Sequence, residues 1–420
     1  MKNVLFIVTE IQSANGICCM NIMRFIQSKG INVYCISNKE YGQAQHYMID
    51  NINVFTVKPR LTYSINSFLK QKSTKLFFHK VLHLFGMIIN KIELLFSIPT
   101  WPLISRRWTK RIYKKAETAC KQYNIDTIIA VYTQIDALIA AHQIKYKNPN
   151  IKYVAYFLDS LSGGYGPKYF SQHWIIKRGI KWEQRVLTLA DNIIMMESAK
   201  SHYLKNCKQE KYFKKINFLD IPLFSPKSSY TQPSEHRTNK DIINITYIGS
   251  IHKPIRDPQY FLQLFTKLTN SRLRLNIVGP NNCPDILNHY ASIDKRISIH
   301  SYVPHHEAQE LINTADFLLN IGNNNPCMTP SKIFEYISYG KPIISTAPIM
   351  DEPCIRYLTS YPLSLIIYEL KYSIEHNAQL LEQFIKNNYN NHCDSNYLIN
   401  TYKLNTPQAF FDAIQQSIHL

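Results

Sequence analysis

The chain is poor in acidic side chains. Its 29 Asp and Glu stand against 48 Lys and Arg, a formal charge of +19, which points to anionic partners, nucleic acid or a membrane surface. It also lacks the Gly-x-Gly-x-x-Gly that opens a dinucleotide site, so that cofactor class is not expected. None of its nine cysteines forms a Cys-x-x-Cys pair, and Cys18 and Cys19 are adjacent. An odd, scattered set of this kind fits a reducing cytoplasm rather than a disulfide framework. Metal-ligand spacing is missing as well. His305-His306 has no Cys or carboxylate partner and reads as polar rim, so no metal is expected. No signal-peptide pattern is present, because Met1-Lys2 runs straight into a strand-like Val-Leu-Phe-Ile-Val without a cleavage site.

What remains is a globular composition, with 45% hydrophobic and 18% charged residues over 420 positions, enough for two domains with substantial cores. In the first half, apolar runs at 4–8, 33–37, 54–57, 127–131, 153–157, 192–196 and 216–219 read as buried strands. Helical stretches at 15–28 and 134–147 fall between them, a β–loop–α–β order that predicts a Rossmann-like parallel domain over 1–224. Gly16 opens the first helix, as a turn glycine or at a ligand-facing loop. Asp159 lies just past the strand 153–157, where parallel sheets bind ligands. It either takes a proton from an acceptor hydroxyl or caps the next turn.

The basic charge is concentrated. Residues 58–115 hold 13 Lys and Arg and one acid, Glu93, a net +12. Within that window, His79, His83, Gly86, Asn90, Glu93 and Ser97 recur at helical spacing as a narrow polar stripe on an otherwise apolar helix. Lys80 and Lys91 border the stripe and argue against a simple membrane span. Pro99, Trp101 and Pro102 end the helix, and Arg106, Arg107, Lys110, Arg111, Lys114 and Lys115 follow. Apolar surface, an interfacial Trp and dense cations predict a segment lying on an anionic membrane; the alternative is a buried helix with a solvated basic neighbour.

Residues 225–241 are polar, carry two prolines and read as a linker. Strand–helix alternation then resumes over 242–400, with strands at 242–248, 273–278, 297–300 and 317–320 and helices at 258–269 and 307–314. The stretch Pro330–Ser345, PSKIFEYISYGKPIIS, reads as loop, helix, tight turn and buried strand. Ser331 is a candidate cap and Lys332 sits in the first turn, so the helix start suits a phosphate. Glu335, one turn on, suits sugar hydroxyls. The chain ends in a helix-start pattern at Thr406-Pro407.

This Pro-Ser-Lys-x-x-Glu stretch resembles the donor-binding segment of GT-B glycosyltransferases, particularly family 4 (glycosyl transferases group 1) of bacterial polysaccharide biosynthesis. The resemblance extends over 242–345, with the first domain matching in outline. It implies an α/β, GT-B fold, with two Rossmann-like domains facing each other across a cleft that holds the active site, and a C-terminal helix, 401–420, that packs back toward the first domain. It further implies that Glu335 binds the ribose, that backbone near Pro330, Ser331 and Lys332 meets the diphosphate, and that backbone near Val303 meets the base. The glycine turn Gly249-Ser250 and the basic residues Lys253 and Arg256 would hold the diphosphate, with Arg256 preferred because Ser250 stands where the family has an arginine. Cys327 stands where the family often has a second glutamate.

The expected reaction moves a hexose-type sugar from a nucleotide diphosphate-sugar, a co-substrate rather than a cofactor, to an acceptor hydroxyl with retention. Asp159, Arg256 and Lys332 are the catalytic candidates, and no Asp-x-Asp occurs to suggest the metal-dependent GT-A class. The acceptor would be lipid-linked or a growing surface glycan (capsule, O-antigen or exopolysaccharide), met by a cytoplasmic protein peripheral to the inner face of the cell membrane. An epimerase, an inactive scaffold partner and a nucleic-acid-binding protein are the alternatives; against the last, no reader motif is present.

Overall fold

The computed structural model describes residues 2–71, 76–225 and 242–418. The expected linker 225–241 lies outside the described residues apart from Ser225. The chain divides into two compact units, Met1–Pro222 with Pro407–Leu420, and Leu223–Thr406.

The first unit runs β1 (Asn3–Ile7), α1 (Ala14–Ser28), β2 (Asn32–Asn38), β3 (His46–Ile49), β4 (Ile52–Val57), α2 (Leu61–Gln71), α3 (Leu76–Ser97) and α4 (Arg106–Gln122). It continues through β5 (Thr127–Tyr132), α5 (Ile135–Lys147), β6 (Lys152–Phe157), α6 (Gln172–Leu187), β7 (Asn192–Met196), α7 (Lys200–Asn206) and β8 (Ile216–Leu219). The strands form one sheet in the order β3-β4-β2-β1-β5-β6-β7-β8. Their near-continuous apolar runs are what a parallel sheet covered on both faces requires. Leu5, Ile7, Ile128, Ala130, Tyr153 and Phe157 are fully buried between sheet and helices. Trp108 of α4 sits in that core and donates its indole N–H to Asn38 Oδ1 at 3.0 Å.

β3 is the one antiparallel strand and was not expected from the sequence. It returns from β4 through Asp50 and Asn51, both with positive φ (47° and 64°), a two-residue hairpin turn built without glycine. Its exposed edge position gives it no apolar run to detect.

The second unit runs β9 (Ile243–Ile248), α8 (Gln259–Thr266), β10 (Leu273–Val278), α9 (Pro284–Ile293), β11 (Ile297–His300), α10 (His305–Thr314) and β12 (Phe317–Asn320). Then come α11 (Lys332–Ser338), β13 (Ile343–Ala347), α12 (Ile355–Leu358), β14 (Ser364–Tyr368), α13 (Ile374–Asn388) and α14 (Ser395–Thr401). Its strands, all parallel, take the order β11-β10-β9-β12-β13-β14. The strand order reverses between β9 and β12, the switch point at which open α/β sheets form a ligand crevice.

The last helix, α15 (Pro407–Ile418), belongs to the first unit, where Phe411 meets Phe25 of α1 and Phe410 meets Tyr156 of β6. It begins at Pro407 rather than at 401, because residues 401–406 finish α14 and a 3-10 turn within the second unit.

Candidate functional site

At the switch point of the second unit, β9 and β12 pair only through Ile245 and Thr246 and then part. Ile248, at the end of β9, is left without a β12 partner on that side. Tyr336 of α11 supplies one: its hydroxyl accepts from the Ile248 N–H (2.9 Å) and donates to the Ile248 carbonyl (3.2 Å). This double contact pins α11 to the crevice. Ile333, Phe334 and Ile337 bury the rest of its inner face, and Gly340, at φ 66°, ends it in the left-handed conformation that glycine adopts without strain. Ser331 occupies the cap position, but its side chain makes no capping hydrogen bond, since its backbone is already helical (φ −62°, ψ −24°).

Arg256, in the loop after β9, reaches across to the loop after β12. Its Nε and Nη2 donate to Asn323 Oδ1 (3.2 and 3.0 Å), and its Nη1 donates to the Ser250 carbonyl (3.1 Å) and to the Tyr247 hydroxyl (3.3 Å). The guanidinium is half-buried and fixed, not a loose surface cation. Asn323 is held in turn: its Nδ2 donates to the Met328 carbonyl (2.7 Å), and its N–H donates to Glu352 Oε1 (3.3 Å). Asn324 sews the same two loops together through Ile255 and Pro254.

Lys332 and Glu335, the two side chains singled out on α11, form an ion pair with each other at 2.7 Å. Each remains about a quarter to a third exposed (31% and 25%), so both are reachable by a ligand. Tyr247, which takes an Arg256 Nη1 bond, is next in the chain to Ile248, which holds Tyr336, so the loop cation and α11 meet about the end of β9. The Ser250 carbonyl joins the same cluster by accepting from Arg256, and Gly249 precedes it directly after β9. Lys253 is engaged elsewhere, its ammonium paired with Asp257 at 3.0 Å and its backbone bracketed by Asn282. Val303 lies after β11, two strands from β9, and is not joined to this cluster. Pro330 is buried at the entrance to α11.

Three residues near the crevice escaped the sequence reading. Asn323 follows β12, and its place just past the end of a parallel strand is the signal that could have found it. Glu352 is buried under that loop, and burial pushes its carboxyl up to about 7, against the N–H groups of Asn323 and Cys354 and the charge of Arg256. Glu369, just past β14, is likewise pushed up to about 7 by burial. Cys327 is buried and its thiol is raised to about 11, so it stays protonated at neutral pH and supplies no carboxylate-like acceptor.

In the first unit, Gly16 and Asp159 come together. The Gly16 N–H is capped by Ser13 Oγ (3.1 Å), and Asn15 Nδ2 donates to Asp159 Oδ2 (3.1 Å). A Cβ on Gly16 would stand 2.1 Å from the Glu10 carbonyl oxygen, so no other residue fits there. Burial raises the Asp159 carboxyl, the direction a general base needs, and the Asn15 hydrogen bond opposes it. The loop that carries Asp159 is braced from below. Glu183, buried, accepts from the Ser162 N–H (3.0 Å) and from the hydroxyls of Tyr203 (2.7 Å) and Tyr212 (2.8 Å).

Residues 243–353, the span that contains this crevice, match the family described as Glycosyl transferases group 1. Comparison with curated protein sequences finds no match. Among solved structures, sucrose-phosphate synthase from Thermosynechococcus elongatus superposes with a TM-score of 0.65 at 11% identity, covering 99% of this chain and 97% of that one. Anabaena Alr3699/HepE, solved in complex with UDP and glucose, gives 0.63 at 10% identity over 100% of both chains. The lipopolysaccharide outer core galactosyltransferase WaaB gives 0.59 at 13% identity over 100% of this chain and 99% of its own. The chain therefore has the GT-B fold of two Rossmann-like units. Its second unit carries the segment that matches the group 1 glycosyltransferase model.

Proposed function

We propose that the chain transfers a hexose-type sugar from a nucleotide diphosphate-sugar to an acceptor hydroxyl, and that the second unit holds the donor. The observation that carries this reading is Arg256, locked across the β9–β12 switch point onto Asn323 beside the pinned α11. Fixed cations are what a departing diphosphate needs, because they stabilise developing charge without reorganising at the moment of reaction. In this reading Arg256 and Lys332 take the diphosphate charge, Glu335 takes the ribose hydroxyls, and Asp159 receives the acceptor proton. Retention at the anomeric carbon and independence from metal are proposed on the group 1 resemblance.

The acceptor proposed is lipid-linked or a growing surface glycan, met at the inner face of a cell membrane by a cytoplasmic, peripheral enzyme. The net +12 of residues 58–115 supports that placement. The test is release of nucleoside diphosphate from a panel of nucleotide-sugars, with and without glycan acceptors. One donor is expected to turn over, and Arg256→Ala to lower its kcat/KM by about 100-fold or more. Binding without release under every acceptor would indicate a scaffold, and recovery of the donor as its isomer an epimerase; either overturns the reading.

A further inference from the structure

On helix α3, Gly86 and Ser97 of the small and polar stripe are buried and Glu93 of the same stripe pairs with Arg60 at 3.2 Å beside α2, while His83 and Asn90 stay exposed. Gly86 lies close against Ile65 of α2. The apolar surface faces outward instead: Phe85 is 51% exposed, Leu95 64% and Phe96 79%. The stretch Phe78–Thr100 is long and apolar enough to cross a membrane, yet Lys80 and Lys91 lie within it and Glu93 is paired with Arg60. A helix with this exposed apolar surface and these cations suits a bilayer interface.

The other wall of α2 borders a cavity of about 740 Å³. It opens where β2 and β4 end, and Lys39, Lys58, Arg111, Lys114 and Lys115 line it. The last three share one face of α4. None of the five makes an ion pair among the described residues. The only acid in the lining, Glu40, is taken by the hydroxyls of Tyr63 and Ser67 from α2. Five cations around one cavity, in the same unit as an apolar helix and sharing α2 with it, match one kind of ligand: a lipid whose head carries phosphate.

We propose that this cavity seats the phosphate or diphosphate of a lipid presented by the bilayer on which α3 lies. A second copy of the chain fits the surface poorly, because a symmetric contact would set these cations against their own images. Nucleic acid would leave the apolar face of α3 in water. The inference rests on the glycosyl-transfer reading only for what the bound lipid is used for, as the acceptor's anchor. Binding is therefore measured without donor or turnover, and its failure leaves the donor reading standing.

The experiment is co-sedimentation with vesicles of phosphatidylcholine alone or doped with phosphatidic acid, together with calorimetric titration of inorganic diphosphate into the chain carrying Arg256→Ala, so that diphosphate held by the second unit does not count. The wild-type chain is expected to prefer phosphatidic acid vesicles by about tenfold or more. Lys58→Ala with Lys114→Ala should abolish the preference while leaving weak binding to phosphatidylcholine. Phe85→Ser with Leu95→Ser, both at exposed positions, should abolish binding to either vesicle while inorganic diphosphate still binds. The proposal is overturned if the lysine variant keeps the preference, if the α3 variant still sediments with vesicles, or if inorganic diphosphate binds tightly while phosphatidic acid confers no advantage.

Discussion

Replacing Glu352 with Gln should flatten the dependence of stability on pH in the second unit. The carboxyl is buried, and its folded value of about 7 stands above the ordinary 4.5. The folded state therefore holds the proton more tightly than the unfolded chain. Its contribution is complete below about pH 4.5 and is lost as pH rises through about 7. The gap corresponds to about 3 kcal/mol between the two limits. Gln cannot titrate, so that component disappears. It also offers one oxygen where Glu352 presents two, to the N–H groups of Asn323 and Cys354, and this costs about 1–3 kcal/mol at every pH.

The assay is urea denaturation of both proteins at about pH 5 and about pH 8.5, on either side of the transition. Far-UV circular dichroism follows the whole chain. Tryptophan fluorescence follows the first unit alone, because all four tryptophans (Trp101, Trp108, Trp174 and Trp182) lie there. Glu369 and Asp136, whose carboxyls burial also raises, titrate in both proteins and cancel in the comparison. Wild type should lose up to about 3 kcal/mol more than the variant across this range, in the component that fluorescence does not see. Equal losses in the two proteins would refute the reasoning.

Two further changes test the first unit by tryptophan fluorescence. Gly16→Ala places a methyl 2.1 Å from the Glu10 carbonyl oxygen, a rigid backbone neighbour, and should cost about 1–3 kcal/mol in urea midpoints; a neutral result would mean the loop before α1 yields freely. Glu183→Ala strips partners from the Ser162 N–H and two buried tyrosine hydroxyls and should cost about 3 kcal/mol or more, whereas Tyr212→Phe, which removes a single donor to Glu183 Oε2, should cost about 1; equal losses would contradict the network.

Much of the architecture was legible because parallel strands covered on both faces write themselves as apolar runs. The stretches at 192–196, 216–219, 273–278 and 317–320 coincide with β7, β8, β10 and β12. β3 was not legible, since an edge strand with alternating exposure and an Asp-Asn turn has neither run nor glycine. Sequence periodicity cannot say which side of α3 turns inward; of its stripe Gly86 and Ser97 pack, while His83 and Asn90 stay exposed. Arg256 and α11 could be placed by their position after β9 and β12. The roles of Tyr336 and Asn323 could not, because each depends on a contact between segments far apart in the chain. Tyr336 in particular looks like one more apolar position on a buried helix face.

The central claim, that α11 reads the sugar and phosphate of a nucleotide, meets its most direct test in Glu335→Ala. Glu335 holds Lys332 at 2.7 Å, so its removal both deletes the proposed ribose acceptor and frees the lysine. Nucleoside diphosphates (UDP, GDP, ADP and dTDP) and inorganic diphosphate would be titrated by calorimetry and thermal shift, without metal, with and without Glu335→Ala in a chain carrying Lys58→Ala and Lys114→Ala, which removes the diphosphate site proposed in the first unit. The account predicts that one nucleoside diphosphate binds the chain with Glu335 intact and weakens by about 10- to 100-fold when Glu335 is replaced, the worth of one or two hydrogen bonds to a carboxylate. Inorganic diphosphate should bind at least as well after the replacement as before it. Loss of both ligands together, or of neither, would contradict it.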